Sequence, residues 1–441
     1  MTARAALAPW LAAALGCVAI VAVFWPGYTS VDSLHQYQQA LAGRYDNVHP
    51  PLFAFVWGLA ARLVEGSGGM HVLLVATFSA GLARAVWAAV PGPRARVAAF
   101  VVIALWPPVL LVVAHVWKDV AMSAAILLGA AASFRWRADG RPRDRVAALL
   151  WLAAAVAMRH NAWPAVLPFV AFVAMPPRDA MQSASLVRGV AFAVGVALAL
   201  AAVPRLVEHA LGAERRALWP TVALWDLGAV SLATGEVRIP REVAPTLTLD
   251  DIARHYQPWS CVSLYDSGKI RLAMHVPYSA AETRAVDAAW RRALVDAPGA
   301  YAAHRARIVA GLVLAAPAAA PRELVYVPEH RVTAPERAAS WPERAVLAFA
   351  AATWSTPVFA LGPYLLAALV AVATSKRAAR DVPLALLASA LLYAAPLAVV
   401  ATSAEYRYVH WSVVACLLAT AAALGSRSAS MREPARSKRA E

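Results

Sequence analysis

Acidic and imidazole side chains gather in one short stretch of a chain that is otherwise apolar and basic. The stretch reads Asp32-Ser33-Leu34-His35-Gln36, then Tyr45-Asp46-Asn47-Val48-His49-Pro50-Pro51-Leu52. A carboxylate placed here could take the proton from a hydroxyl and orient it for attack, and Asp32 is the first candidate. The same residue also suits an ordinary cap at the start of a short helix. Gln36 stands four residues on, the spacing of one helix face. His49-Pro50-Pro51 holds His49 and Asp46 at a set height, because the prolines stop the preceding segment. His35, Asp46 and His49 have donor types that admit a divalent metal, but no pair of histidines shares a helix at ligand spacing, so the pattern supports no metal site.

Three further polar patches interrupt the apolar runs. Trp117-Lys118-Asp119 begins a helix, where Asp119 fits the macrodipole. Arg159-His160-Asn161 separates two short apolar segments, and Glu405-Tyr406-Arg407-Tyr408-Val409-His410 precedes the last one. Lys118 and Arg159 together have the chemistry of a phosphate-binding pair. Taken singly, each is equally well explained by a cation reaching up to lipid headgroups. The patch at 405–410 also reads as an aromatic belt with a local ion pair.

The elements that must position these residues are membrane helices. Of 441 residues, 61% are hydrophobic and 15% charged, more apolar surface than a soluble domain can hide. Apolar runs recur at 5–25, 72–90, 97–113, 120–132, 187–203, 345–373, 384–401 and 409–424, several near the roughly 20 residues that cross a bilayer. The first run lacks a persuasive small-residue cleavage site and leaves through Trp-Pro-Gly, so it reads as a retained helix. The net charge of +15 lies in short clusters between the runs, not on one face with interleaved aromatics, which argues against nucleic acid. Those clusters are positive-inside signals facing anionic lipid. Cys17, Cys261 and Cys416 give neither a disulfide framework nor a metal spacing.

If every run crossed from a cytoplasmic N-terminus, the Arg-rich loop 135–145 would fall outside. Letting 50–65 lie as a re-entrant or interfacial helix puts all basic loops inside and the four polar patches outside. The expectation is an all-α polytopic membrane protein with about ten transmembrane helices and both termini cytoplasmic. Its parts are an N-terminal membrane domain (1–204) with a catalytic first outer loop (26–49), an α-rich extracytoplasmic domain (205–344), C-terminal transmembrane helices (345–425) and a basic, disordered cytoplasmic tail (426–441). Within 205–344, prolines predict loops and short helices in the first half, and apolar spacing predicts helix over 280–316. Segments 145–158 and 162–175 read as short paired helices meeting at Arg159-His160-Asn161.

With its polar patches on one side, the chain resembles the GT-C glycosyltransferase superfamily, which includes protein O-mannosyltransferases and lipid A aminoarabinose transferases. The resemblance rests on Asp32 after helix one, His49-Pro50-Pro51-Leu52 opening the next segment, Lys118-Asp119, Arg159-His160-Asn161, and Arg407-Tyr408 before the last helix. It covers residues 1–175 and the final helices and hardly informs 205–345. It implies a bacterial inner-membrane enzyme that moves a sugar from a polyprenyl-phosphate carrier to an envelope acceptor, whether lipid, glycan or protein. Asp32 would be the base or the acceptor-orienting carboxylate, with Asp46, His49 and Asp119 as alternatives or supports. Lys118, Arg159 and Arg407 would meet the lipid phosphate, with Gln36, Asn161 and Tyr408 lining the substrate. The paired Asp-Glu of several subfamilies is Asp32-Ser33 here, which leaves the identity of the base open. The same charges also suit a transporter or flippase for a lipid-linked or anionic solute, although no inverted repeat is visible. A structural membrane subunit of an envelope assembly also fits the outer domain, but leaves Arg159 without a task.

Overall fold

The computed structural model describes residues 3–176, 186–271, 276–315 and 338–437. In chain order the helices are α1 (Ala3–Phe24), α2 (Val31–Ala42), α3 (Pro51–Ala61), α4 (Gly68–Ala89), α5 (Pro93–Leu105), α6 (Pro107–Val113), α7 (Lys118–Asp139), α8 (Pro142–Met158), α9 (Trp163–Ala174) and α10 (Leu186–Ala210). There follow α11 (Trp219–Thr234), α12 (Leu249–His255), α13 (Val262–Tyr265), α14 (Ala280–Asp296), α15 (Pro298–Val313), α16 (Trp341–Thr353), α17 (Gly362–Ala373), α18 (Asp381–Ala394), α19 (Leu397–Val400) and α20 (His410–Ser437). Among the described residues there is no strand, only isolated bridges between extended segments.

Local chemistry sets many of these boundaries. Proline stands in the first turn of α3, α5, α6, α8, α9 and α11, where its missing N–H costs nothing. Gly43 and Gly140 close α2 and α7 in the left-handed conformation, at φ 63° and 68°.

Five helices are long and apolar enough to cross a membrane, six if the bent pair α5–α6 counts as one. This is the pattern of a membrane protein. In α10, only 6% of the most apolar window is buried, against 72% in α20. An apolar helix that keeps its side chains outward has found lipid rather than protein as its solvent. The frame centres on α7, which runs between α4 and α8. A Cβ built at Gly81 would lie 2.9 Å from the Ala124 carbonyl oxygen, so α4 and α7 approach as closely as small residues permit.

Several expectations change. The run 97–113 is not one straight helix: α5 and α6 meet at 64° at Trp106-Pro107-Pro108, because a proline pair cannot continue the hydrogen-bond ladder. The run 345–373 breaks into α16, a 3-10 turn at Pro357–Phe359, and α17. Trp225-Asp226-Leu227-Gly228, placed by sequence among loops and short helices, sits buried on the 16-residue α11. The predicted helix over 280–316 is two helices, Ala280–Asp296 and Pro298–Val313, split at Ala297 before Pro298, and residue 316 lies outside the described residues. The tail from 426 is not irregular, since α20 continues to Ser437; residues 438–441 lie outside the described residues, as do 316–337 and Arg178. Helix α3 has 11 residues and reaches about 16 Å, half a hydrocarbon core.

The charged loops sort to opposite ends. Arg84 stacks on Trp10 at 5.0 Å, Arg135 pairs with Asp144 at 2.9 Å, Trp136 donates to the Met175 carbonyl, and Gly425 rests against Pro91. These contacts gather the turn after α4, the 135–145 loop, the start of α1, the end of α9 and the α20 segment at Gly425 at one end of the frame. The polar patches meet at the other.

Candidate functional site

Two extended segments bring the site together. Tyr28 pairs in parallel with His115, its N–H donating to the Ala114 carbonyl and its carbonyl accepting from Val116 N–H at 2.8 Å. Trp117 Nε1 donates to Ser30 Oγ at 2.9 Å, and Ser33 Oγ to the Val116 carbonyl. The start of α2 is thereby fastened beside the start of α7, which places Asp32 and Lys118 together. On the other flank, Asp46 pairs with Glu214, and Asn47 exchanges hydrogen bonds with the Arg216 backbone at 2.7 and 3.3 Å. This clamp presents His49 just ahead of α3.

Asp32 is the hub. Arg407 Nη1 lies 2.8 Å from Asp32 Oδ2, Lys118 Nζ 3.7 Å from the same oxygen, and His49 Nε2 3.7 Å from Oδ1. Lys118 Nζ also lies 2.9 Å from His49 Nδ1, so the ammonium donates there and leaves the imidazole proton on Nε2, facing the carboxylate. Glu405 ion-pairs with Arg407 and accepts from Ser403 Oγ at 2.8 Å. Tyr408 is flanked by two guanidinium groups, Arg159 at 5.2 Å and Arg407 at 5.5 Å, while Arg407 also stands 5.0 Å from the Trp117 ring. Arg159 is held from behind by its ion pair with Asp119 and by Asn161 Oδ1, which accepts from Nε at 2.8 Å.

The carboxylates differ in access. The Asp32 side chain keeps 20% of its surface open, against 6% for Asp46 and 1% for Asp119. Asp46 is committed to local structure, accepting from Val48 N–H at 3.0 Å and standing 3.3 Å from His35 and 3.5 Å from Arg216. Asp119 is spent on Arg159. Only Asp32, of the three, is both surrounded by cations and reachable. Burial alone would raise the Asp32 carboxyl, but the Arg407 guanidinium, joined by Lys118, outweighs it and holds it well below the usual carboxylate range. Burial, reinforced by Lys118, pushes His49 well below the ordinary imidazole value and keeps it neutral. Asp46 is also lowered: burial opposes this, and bonds with His35, Gln39 and the Val48 N–H prevail.

All ten residues singled out by sequence lie at this end of the frame, with different duties. Gln36 Nε2 is used locally, donating to the Asp32 carbonyl at 2.8 Å. Glu405 and Trp117 belong to the hub although sequence assigns them no role beyond their patches; their position next to Arg407 and Lys118 is the signal that carries them. Arg216 has no such signal, since only the fold brings it to Asp46. His35 and His49 stack edge-on at 5.8 Å. Among the described residues no group of three or more His, Cys, Asp or Glu could hold a metal ion. The three cysteines are free.

Two cavities border the clamp. One of about 460 Å³ is lined by Asn47, His160, Arg205, Glu208, Arg215 and Arg216, with Ala201 and Pro204 of the outward-facing α10 on its side. Another of about 280 Å³ is lined by His35, Gln39, Tyr45, Asp46 and again Arg216 among others. His160 Nε2 lies 3.4 Å from Glu208, linking the first cavity to the Arg159-His160-Asn161 break.

No family model, no curated protein and no solved structure matches this chain.

Proposed function

We propose that the chain is a GT-C-like glycosyltransferase that moves a sugar from a polyprenyl-phosphate carrier to an envelope acceptor on the extracytoplasmic face of a bacterial inner membrane. The observation that carries this reading is the convergence of Arg407, Lys118 and His49 on the accessible carboxylate of Asp32. Displacing a phosphate requires a positioned nucleophile and fixed cations where the charge departs, and both lie within one hub.

In this mechanism the acceptor hydroxyl hydrogen-bonds to Asp32. Its oxygen bonds to the anomeric carbon as the bond from that carbon to the phosphate oxygen breaks, and the electron pair stays on the phosphate. Arg407 and Lys118 turn from Asp32 to the phosphate as it gains charge. With its cations drawn off, Asp32 accepts the hydroxyl proton and passes it to solvent. Before the donor arrives, the same cations keep Asp32 a weak base, so its first task is to orient the acceptor. Arg159, fixed by Asp119 and Asn161, adds charge on the far side of Tyr408. The cavity between the clamp and α10 suits a lipid-borne phosphate, since basic side chains stand beside an apolar flank.

The topology that goes with this reading has ten crossings, the segments α1, α4, α5–α6, α7, α8, α9, α10, α17, α18–α19 and α20, with α3 re-entrant, both termini cytoplasmic and α11–α15 outside. The positive-inside rule supports it, because the turn after α4 that leads to Arg94 and Arg96 and the Arg-rich 135–145 loop share one end. The test is release of polyprenyl monophosphate when the purified protein, in nanodiscs, is incubated with lipid extract from its native membrane. The wild type is expected to release it and Arg407→Gln to lose the activity. Release that is equal in both proteins would overturn the reading.

A further inference from the structure

A second charged cluster lies buried away from the hub. Asp226 on α11 is enclosed by Arg305 Nη2 at 2.7 Å, His304 Nε2 at 3.2 Å and Trp290 Nε1, which donates at 2.8 Å. Tyr256 OH lies 2.8 Å from the other His304 nitrogen. Asp226 and His304 are each 1% exposed and Arg305 is 5% exposed. Such a network would merely weld α11, α14 and α15 together but for one bond that leaves it: Arg305 Nη1 donates to the Ala401 carbonyl at 2.8 Å.

Ala401 begins the strap that leads into the hub. Cys261 N–H donates to the Thr402 carbonyl at 2.9 Å, Ser260 pairs with Ser403, and Ala404 N–H donates to the Trp259 carbonyl at 2.8 Å. Thr402 Oγ1 stands 3.1 Å from Tyr408 OH, and Ser403 holds Glu405, the partner of Arg407. A Cβ built at Gly311 of α15 would lie 2.9 Å from the Ala404 Cβ, so α15 bears directly on the same strap. Every described contact from α11–α15 to residues 401–404 thus acts on the segment that presents Arg407 and Tyr408.

We infer that Asp226 and Arg305 are positioning residues: through Ala401 and the strap they hold Arg407 against Asp32. The inference rests on the proposed function only in giving Arg407 a chemical task. A buried guanidinium locked by one carboxylate is a rigid anchor, and its remaining N–H bond fixes a loop that has no helix of its own. Gly311 supplies the steric stop on the same side.

The test is arginine footprinting with phenylglyoxal on the full-length protein in nanodiscs, with modification at each arginine read by mass spectrometry. Arg407 is shielded in the wild type. Its modification is expected to speed about tenfold or more in Arg305→Gln, as for a locally opened segment, with Arg135 at the opposite end unchanged. Arg305→Lys, which can still donate to Ala401, is expected to stay near wild type. Gly311→Ala leaves the ion network intact and pushes on Ala404, so it should expose Arg407 as well; it also decides the matter if Arg305→Gln does not fold. Unchanged Arg407 reactivity in Gly311→Ala and in any folded Arg305→Gln would reduce the network to a weld between helices and overturn the inference. Release of polyprenyl monophosphate should fall in the same order as Arg407 becomes exposed. If the wild type releases none, the transferase reading fails and the footprint still judges the positioning.

Discussion

Arg407 Nη1 stands 2.8 Å from Asp32 Oδ2, joining the first turn of α2 to the residues that open the last helix. The contact closes a charged cluster in which Lys118 and Glu405 each touch one of the two partners, with the neutral His49 beside Asp32. Such a centre is costly to bury and gains little as a staple, since a buried ion pair is often no better than apolar packing. Its retention beside an accessible carboxylate is what a chemical task would require.

The pair Arg159–Asp119 is the more deeply buried. Arg159→Gln strands the Asp119 carboxylate and is expected to cost about 3 kcal/mol or more of stability. Arg159→Met with Asp119→Leu should recover most of that stability while transfer stays low. Thermal unfolding in detergent, run beside the release assay, separates the two effects.

Acid should destabilise the fold through His49 before it does so through Asp32. The folded His49 is held well below the usual value, so between that value and about 6.5 the unfolded chain binds a proton that the folded chain does not. Stability therefore falls as pH drops below about 6.5, by up to about 1.4 kcal/mol per pH unit for this residue. Asp32, also lowered in the fold, adds a loss only below about 3.9. Unfolding of wild type and His49→Gln across pH 7 to 5 checks this. The variant should show a slope shallower by up to that amount.

Close helix approach makes a contrast between two glycines. At Gly81 a new Cβ meets the Ala124 backbone oxygen at 2.9 Å, which cannot yield, so Gly81→Ala should cost about 1–3 kcal/mol. At Gly129 the nearest atom is the end of the Leu152 side chain, which can turn aside. Gly129→Ala should cost less, and unfolding midpoints will rank the two.

Much of this architecture is legible in the sequence because its signals are local. Proline pairs, glycine stops and charges between apolar runs mark the starts of α2, α3 and α7 and the break at Arg159. Lys118 and Arg407 stand out because a charge in an apolar chain is expensive wherever it falls. The kink between α5 and α6 sits inside a run that carries no charge, so apolarity hides it, although the adjacent prolines mark it. Helix α11 is obscured differently: the prolines that follow it suggest only loops and short helices, and only Arg305 and His304, far along the chain, explain the buried Asp226 carboxylate. Arg216 and the cavities depend on the pairing of residues 45–47 with 214–216, a long-range contact that no spacing encodes.

The most direct measurement is the glycan and lipid profile of a strain deleted for this protein, complemented with wild type or with Asp32→Asn at equal membrane levels. The account predicts that one sugar disappears from an envelope component, returns with the wild type and does not return with Asp32→Asn. Full restoration by Asp32→Asn would contradict it, and an unchanged profile in the deletion strain would turn attention to transport of a lipid-linked or anionic solute.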